Sequence, residues 1–145
     1  MRVSMGYPDR DNERQVLLAH REGEPVEQLQ PVVDCERLLA LQRTVREVSV
    51  DEAIYEYLLD LAEATRNSPE LHVGVSTRGV ICLYRAAQAL ALLEGRDYVI
   101  PDDVKRLSVA VLAHRVIPRG YAQGSQRENV ESLIGQLVDA VPVPE

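Results

Sequence analysis

The side chains best suited to chemistry lie in one short stretch, from Gly74 to Arg78, with the sequence Gly-Val-Ser-Thr-Arg. A serine two residues after a glycine is similar to the G-x-S-x-G turn that exposes the nucleophile of many hydrolases. Here Arg78 takes the place of the second glycine, and no strand pattern long enough for such a turn precedes Ser76. Serine is also a preferred residue immediately before a helix. Ser76 is therefore predicted to cap a helix rather than to attack a substrate.

Arg78 is then the main candidate for a binding or catalytic role. If Ser76 caps a helix, Arg78 lies in the first turn, where a cation opposes the helix dipole at a cost of about 0.3–1 kcal/mol. The free N–H groups of a first turn and a guanidinium together suit an anion such as phosphate. The alternative is an arginine that extends into solvent or pairs with a surface carboxylate. The residue types alone leave both interpretations open.

The sequence lacks the motifs of a complete active site. There is no G-x-x-x-x-G-K-[ST] phosphate loop, so this chain alone is expected neither to bind ATP tightly nor to hydrolyse it. There is no H-E-x-x-H motif, and His20, His72 and His114 are far apart in the sequence, so no metal site is predicted.

The composition of the chain excludes several classes of protein. The 145 residues carry a net charge of −7 with only 4% aromatic residues, which disfavours nucleic-acid binding. No run of about 18 apolar residues is present, so no membrane insertion is expected. The N-terminal residues lack the apolar region of a secretion signal, and the two cysteines suggest no disulfide framework. We therefore expect a cytoplasmic protein.

The apolar periodicity and the capping residues predict an all-α fold, a compact bundle of about six helices. Val48 to Val50 is the only candidate for an extended piece. The predicted helices run from Asp9 or Asp11 to Arg21, from Asp34 through Val45, from a Ser49–Glu52 capping box to before Asn67, from Ser76 to Glu94 with a stop at Gly95, from Pro101 to Pro118 and Gly120, and from a Ser125–Glu128 capping box to Pro142.

The fourth helix is apolar on nearly all sides, which predicts that it is the buried central helix. Every apolar face of the other helices needs a neighbour, and this helix can serve most of them. His114 and Arg115 near the end of the fifth helix suit its negative end, and a structural role is favoured over a catalytic one. Arg66 at the end of the third helix can cap carbonyls. Arg96 after Gly95 is expected to clamp a turn.

An ordered set of short motifs resembles the MoxR family of AAA+ ATPases over essentially the whole chain. Gly74–Arg78 resembles the G-x-S-x-R stretch of that family. The other matching segments are Gly6-Tyr7-Pro8, Glu13, Ala64-Thr65-Arg66, Ala86-Ala87-Gln88-Ala89, Gly95 to Val104, and Val111 to Arg115.

The resemblance implies a C-terminal helical lid subdomain at 9–145, with the end of the AAA+ core and a hinge at 1–8. The rest of the core, with its phosphate loop and magnesium-binding residues, is expected before Met1. Arg78 matches the sensor-2 arginine, which together with Ser76 at the helix start faces the phosphates of ATP with Mg²⁺ in the parent protein. Tyr7 and Pro8 match positions near the adenine.

The resemblance also implies a parent that is an ATP-driven, chaperone-like remodeller. Its partners are expected to be the core domain of the same chain, neighbouring subunits of a ring, and proteins with a von Willebrand factor A domain. The alternative is an independent helical interaction domain, an adaptor without a nucleotide role. A helix-turn-helix DNA reader is disfavoured by the net charge and by the lack of a basic recognition helix.

Overall fold

The computed structural model describes residues 1–21, 23–119 and 126–144, with the backbone alone at residues 126–128. The chain divides into two compact units, Val3–Leu41 and Gln42–Glu145 together with Met1–Arg2. The described residues form six α-helices and two very short strands, which confirms the predicted all-helical bundle. None of these helices is both long and apolar enough to cross a membrane. The elements are α1 (Arg10–Ala19), α2 (Cys35–Glu47), α3 (Glu52–Asn67), β1 (Leu71–Val73), α4 (Thr77–Leu93), α5 (Pro101–Leu112), β2 (Ile117–Pro118) and α6 (Gln126–Ala140), with 3₁₀ turns at Pro25–Gln28 and Ala113–Arg115.

The unit Val3–Leu41 contains α1, a 3₁₀ turn and the first part of α2. Asp9 accepts a hydrogen bond from the backbone N–H of Asn12 (2.8 Å), and Asp34 accepts one from the backbone N–H of Arg37 (2.7 Å). These bonds satisfy N–H groups that a helix leaves free in its first turn. Both predicted helix starts are confirmed.

The apolar side chains of α1 and α2 are exposed. Neither helix has a buried residue, and Leu17 and Leu39 are 70% and 53% exposed. Residues 3–41 provide one helix, one turn and part of a second helix, which is too little to enclose a core. The unit Val3–Leu41 by itself therefore leaves these apolar faces uncovered.

The larger unit encloses the hydrophobic core. α4 packs against α5 and α3, and α6 packs against the same two helices. The side chains that meet there are mostly aliphatic. The spacing in the sixth helix predicts that it buries Val130, Leu133, Ile134, Leu137, Val138 and Val141. Leu137 is half-buried, and the other five are buried.

α3 begins at a different residue from the one predicted. Asp51, not Ser49, caps the helix by accepting a hydrogen bond from the backbone N–H two residues later (2.9 Å). Ser49 instead pairs with the strand-like segment before α5, donating to the carbonyl of Asp97 (2.7 Å) and accepting from Val99 (3.0 Å). The predicted Ser49–Glu52 capping box is therefore wrong, because backbone pairing holds Ser49 away from the helix start. The predicted extended piece around Ser49 is confirmed.

α4 buries one strip of its surface rather than its whole circumference. Leu83, Ala87 and Ala91 are at most 1% exposed, whereas Ile81 is 54% and Leu93 is 84% exposed. The main neighbours of α4 are α3 and α5, and two helices cannot cover all sides of a third. The expectation of burial on nearly all sides is wrong in this respect.

Gly95 ends α4, as predicted, with a φ of +77°. The N–H groups of Gly95 and Arg96 return to the carbonyls of Leu92 (3.0 Å) and Ala91 (2.9 Å). These two hydrogen bonds form the Schellman motif, which requires the left-handed conformation that glycine adopts without strain.

Arg96 clamps the turn between α4 and α5, also as predicted. Its guanidinium donates to both carboxylate oxygens of buried Asp103 (2.6 and 2.8 Å) and to the carbonyl of Tyr98 (3.0 Å). Asp103 in turn accepts from the N–H of Ile100 (3.0 Å), which satisfies a donor at the start of α5. α5 ends at Leu112, before the predicted stop at Pro118, because a 3₁₀ turn and β2 follow it.

β1 and β2 form a small antiparallel pair, with Leu71 opposite Pro118 and Val73 opposite Ile117. Strands of three and two residues are too short to show the alternation that marks a strand in a sequence, and no sheet was expected here. The predicted Ser125–Glu128 capping box and the stop at Gly120 lie outside the described residues.

Candidate functional site

Ser76 caps α4. Its backbone is extended (φ −76°, ψ 160°), and its Oγ accepts a hydrogen bond from the N–H of Gly79 (3.3 Å). The prediction of a cap rather than a nucleophile is therefore consistent with the geometry. The remaining N–H groups of the first turn have no acceptor within the helix and give its N-terminus a positive partial charge.

Arg78 lies in this first turn and is exposed. The turn contains no acidic residue. Among the described residues, the ion pairs are made by His20, Arg96 and Arg106, and Arg78 makes none. The interpretation of Arg78 as half of a surface ion pair thus finds no carboxylate in the described part of the chain. The guanidinium and the helix N-terminus together suit an anion.

Two glycines, Gly74 in the loop before α4 and Gly79 in its first turn, allow close contacts at the start of this helix. A Cβ on Gly74 would lie 2.6 Å from the Cα of Arg66 and 2.8 Å from the carbonyl carbon of Thr65. A Cβ on Gly79 would lie 2.7 Å from the Cγ1 of Val75. Any side chain at Gly74 would push the loop away from the last turn of α3. The path that leads the chain into α4 therefore depends on both glycines.

Arg115 lies beside the same helix start, although it is distant in the sequence. Its Cδ is 3.7 Å from the position that a Cβ on Gly79 would take. Its buried Nε has no hydrogen-bond partner among the described residues. Sequence reasoning assigned Arg115 only to the end of the fifth helix, because no spacing pattern joins it to α4. The structure adds its side chain to the surroundings of Gly79.

His114, next to Arg115, lines a depression of about 240 Å³ together with Arg2, Val109 and Val130. Burial lowers the pKa of His114, and the charge of Arg115 lowers it further, so the neutral imidazole is favoured. Within the described ranges, no group of three or more His, Cys, Asp or Glu side chains could hold a metal ion.

The predicted site residues fall in two different units. Ser76 and Arg78 lie together at the start of α4, in the unit that contains the core. Tyr7 and Pro8 belong to the unit Val3–Leu41, where Tyr7 is fully exposed and Pro8 is also exposed.

An apolar groove of about 210 Å³ lies between α3 and α4. Its lining includes Leu59 and Ile81, both more than half exposed, and the rings of Tyr55 and Tyr84, whose hydroxyls are 3.4 Å apart. The guanidinium of Arg85 lies 4.9 Å from the centre of the Tyr84 ring. An apolar lining suits an apolar side chain of a partner better than a nucleotide.

Comparison with known proteins gives a consistent result. Residues 63–134 match the family model of the AAA lid domain. The chain is 41% identical to the uncharacterized protein YeaC of Bacillus subtilis, over 99% of this chain and 44% of that protein. It is 29% identical to the chaperone MoxR1 of Mycobacterium tuberculosis, over 99% of this chain and 40% of that protein.

A solved structure, that of a proposed ATPase from Cytophaga hutchinsonii, matches the whole chain with a TM-score of 0.80 and 25% identity. The match covers 46% of that protein, so the chain spans less than half the length of each of these three relatives. Residues 63–134, which include α4 and Arg78, belong to the AAA lid domain family, and the chain is a relative of the MoxR group of AAA+ ATPases.

Proposed function

We propose that this chain is the nucleotide-sensing lid of an ATP-driven, chaperone-like AAA+ machine and that Arg78 is its sensor-2 arginine. One observation carries the proposal. Arg78 is an exposed cation in the first turn of α4, where the helix dipole opposes it, and no described carboxylate pairs with it. A bound anion at this place would offset both unfavourable features.

ATP with Mg²⁺ is the cofactor expected in the parent protein. The start of α4, with Ser76 and Arg78, fits the terminal phosphates, since it offers free N–H groups and a guanidinium. The described residues provide no carboxylate cluster for the metal. In this proposal the phosphate loop and the magnesium ligands belong to the core domain, and the lid alone is expected to be catalytically inactive.

The proposed division of the chain is the end of the AAA+ core and a hinge at 1–8, followed by the lid at 9–145. Tyr7 and Pro8 would then lie near the adenine. The uncovered apolar side chains of α1 and α2, among them Leu17 and Leu39, support contact with a further domain, because isolated exposure of so many large apolar residues is costly. The core of the same chain is the partner proposed for them.

Neighbouring subunits of a ring and proteins with a von Willebrand factor A domain are the other proposed partners, and a cytoplasmic location is part of the proposal. The net charge of −7 supports the view that nucleic acid is not among the partners.

The test is steady-state hydrolysis of ATP by the parent protein carrying Arg78→Ala or Arg78→Lys. We expect Arg78→Ala to lower kcat by a factor of about 10³, as for other arginines directed at developing phosphate charge. Arg78→Lys should restore only part of the rate, because lysine lacks the planar fork. The free energy of unfolding of both variants should lie within about 1 kcal/mol of that of the unsubstituted protein, since Arg78 is exposed.

Arg85→Ala is the matched control, because Arg85 is also an exposed arginine on α4, two turns further on. It should leave hydrolysis unchanged. Unchanged turnover in Arg78→Ala, or an equal loss in Arg85→Ala, would contradict the sensor-2 assignment.

The alternative function, an adaptor domain without a nucleotide role, is favoured by the groove between α3 and α4. In that case Ile81→Asp would abolish binding to a client protein while Arg78→Ala would change nothing. The two functions also differ in gene structure, because only the lid requires a phosphate-loop domain encoded upstream of Met1 in the same reading frame.

A further inference from the structure

The last turn of α3 holds both backbone polar groups of Val75, the residue that precedes the cap of α4. The N–H of Val75 donates to the Oγ1 of Thr65 (3.0 Å), and the carbonyl of Val75 accepts from the Nε of Arg66 (2.9 Å). Thr65 is itself fixed, because its hydroxyl donates to the carbonyl of Ala62 (2.7 Å). We call this pair, Thr65 and Arg66, the α3 latch.

Arg66 reaches away from its own helix to make this contact. A basic residue in the last turn of a helix commonly binds the free carbonyls of that turn. Its Nε instead binds a carbonyl nine residues later in the chain. Arg66 thus binds a carbonyl, as predicted, but one outside its own helix, and the bond connects α3 to the loop that leads into α4.

The α3 latch leaves the backbone at Val75 little freedom. Thr65 and Val75 are 2% and 1% exposed, so solvent does not compete for the bond between them. Gly74 lies directly against the backbone of Thr65 and Arg66. The N–H of Val75 belongs to the Gly74–Val75 peptide and its C=O to the Val75–Ser76 peptide, so the two bonds restrain both peptide planes that flank Val75. Because Ser76 follows immediately, the same bonds set the direction in which α4 starts and hence where Arg78 is presented.

We propose that Thr65 and Arg66 are positioning residues for Arg78, so that the α3 latch determines whether its guanidinium reaches the phosphates. The proposal rests on the proposed function of Arg78. Neither residue is expected to touch the nucleotide. A displacement of about 1 Å at a group that stabilises a reaction can lower the rate by a factor of about 100.

The first test needs no nucleotide. Amide hydrogen exchange is measured over residues 74–80 in the parent protein and in Arg66→Ala. Loss of one hydrogen bond should speed exchange there by a factor of about five to ten. Arg119→Ala is the matched control, because the Nε of Arg119 makes the same kind of bond, to the carbonyl of Leu71 (2.9 Å), beside β1. Exchange over 74–80 that is unchanged in Arg66→Ala, or equally fast in Arg119→Ala, overturns the proposal.

The second test is a double-mutant cycle in the parent ATPase. Arg66→Ala should lower kcat by a factor of about 10 to 100 when Arg78 is present, and should cause no further loss in an Arg78→Ala background. Equal losses in both backgrounds would mean that Arg66 does not act through Arg78, and would overturn the proposal. Arg119→Ala should leave kcat unchanged in either background.

Thr65 gives an independent comparison that does not depend on Arg66→Ala folding. Thr65→Ser keeps the hydroxyl and should keep kcat, whereas the isosteric Thr65→Val should lose kcat as Arg66→Ala does. A Thr65→Val variant with parental kcat overturns the proposal. If Arg78→Ala itself has parental turnover, the proposed function fails and the α3 latch with it; if Arg78→Ala is impaired while Arg66→Ala and Thr65→Val are not, the latch alone fails.

Discussion

Substitution of Gly74 by alanine tests the close contact that places the loop before α4. The three atoms nearest to a Cβ at this position are backbone atoms of Thr65 and Arg66, at 2.6–2.8 Å. Real Cβ atoms do not approach other heavy atoms within 3.0 Å, and backbone atoms of a helix cannot rotate away as a side-chain end can. The loop must therefore move away from α3.

The cost of that movement can be estimated from two contributions. Forcing an extra methyl group into a well-packed site costs about 1–3 kcal/mol. Displacing the loop also weakens the bonds from Thr65 and Arg66 to Val75, each worth about 0.5–1.5 kcal/mol. We expect Gly74→Ala to lower the free energy of unfolding by about 2–5 kcal/mol, a large share of the stability of a domain of this size.

The assay is equilibrium unfolding of the chain in urea, followed by circular dichroism. Gly135→Ala is the matched control, because nothing lies within 4 Å of a Cβ at Gly135 in α6. The same substitution should there raise stability by about 0.5–1 kcal/mol, since alanine favours a helix more than glycine does. A Gly74→Ala variant as stable as the unsubstituted chain would refute the close contact and, with it, the account of how α4 is positioned.

Two further predictions concern α4 and its C-terminal end. Gln88 is 1% exposed, and its Nε2 donates to the carbonyl of Val48 (2.8 Å). Gln88→Leu should lower the free energy of unfolding in urea by about 1–3 kcal/mol, because that carbonyl is left unpaired. Arg85→Ala removes only the exposed partner of Gln88 and should lower it by less than about 0.5 kcal/mol. Hydrogen bonds from Arg96, and then from Arg106, lower the pKa of Glu94 below its ordinary value of 4.5. The stabilisation from this carboxylate is therefore complete above pH 4.5 and is lost as the pH falls through its lowered pKa. In thermal melting, the unsubstituted chain should lose more stability below pH 4.5 than Glu94→Gln does. Equal pH profiles of the two would contradict the lowered pKa.

The parts of the fold that depend on local sequence were predictable. Ser76, Gly95 and Pro101 mark helix ends because capping, the left-handed turn and the fixed φ of proline act within a few residues. The apolar spacing of α6 likewise identified its buried face. These features need no knowledge of what lies on the other side of the core.

The parts that depend on tertiary contacts were not predictable. Ser49 has a capping-box pattern, but its pairing with the segment after α4 competes with the helix start. Arg66 and Arg115 stand at helix ends in the sequence, yet one binds Val75 and the other lies beside Gly79. Likewise, periodicity alone could not reveal that Ile81 is exposed, because periodicity reports an apolar face but not its neighbour.

The sequence therefore predicts only part of the candidate site. Ser76 and Arg78 follow from the cap and from the conflict between a cation and the helix dipole. The bonds that hold the preceding residue, Val75, come from Thr65 and Arg66 of α3, and nothing in the local pattern around Ser76 identifies them.

The most direct test of the central claim is a structure of the parent protein with Mg²⁺ and a non-hydrolysable ATP analogue. The account predicts that the guanidinium of Arg78 lies within about 2.7–3.2 Å of an oxygen of the terminal phosphates. The bonds from Thr65 and Arg66 to Val75 should be intact in the same structure. A nucleotide bound with its phosphates elsewhere, or with Arg78 directed into solvent or paired with a carboxylate, would contradict the account.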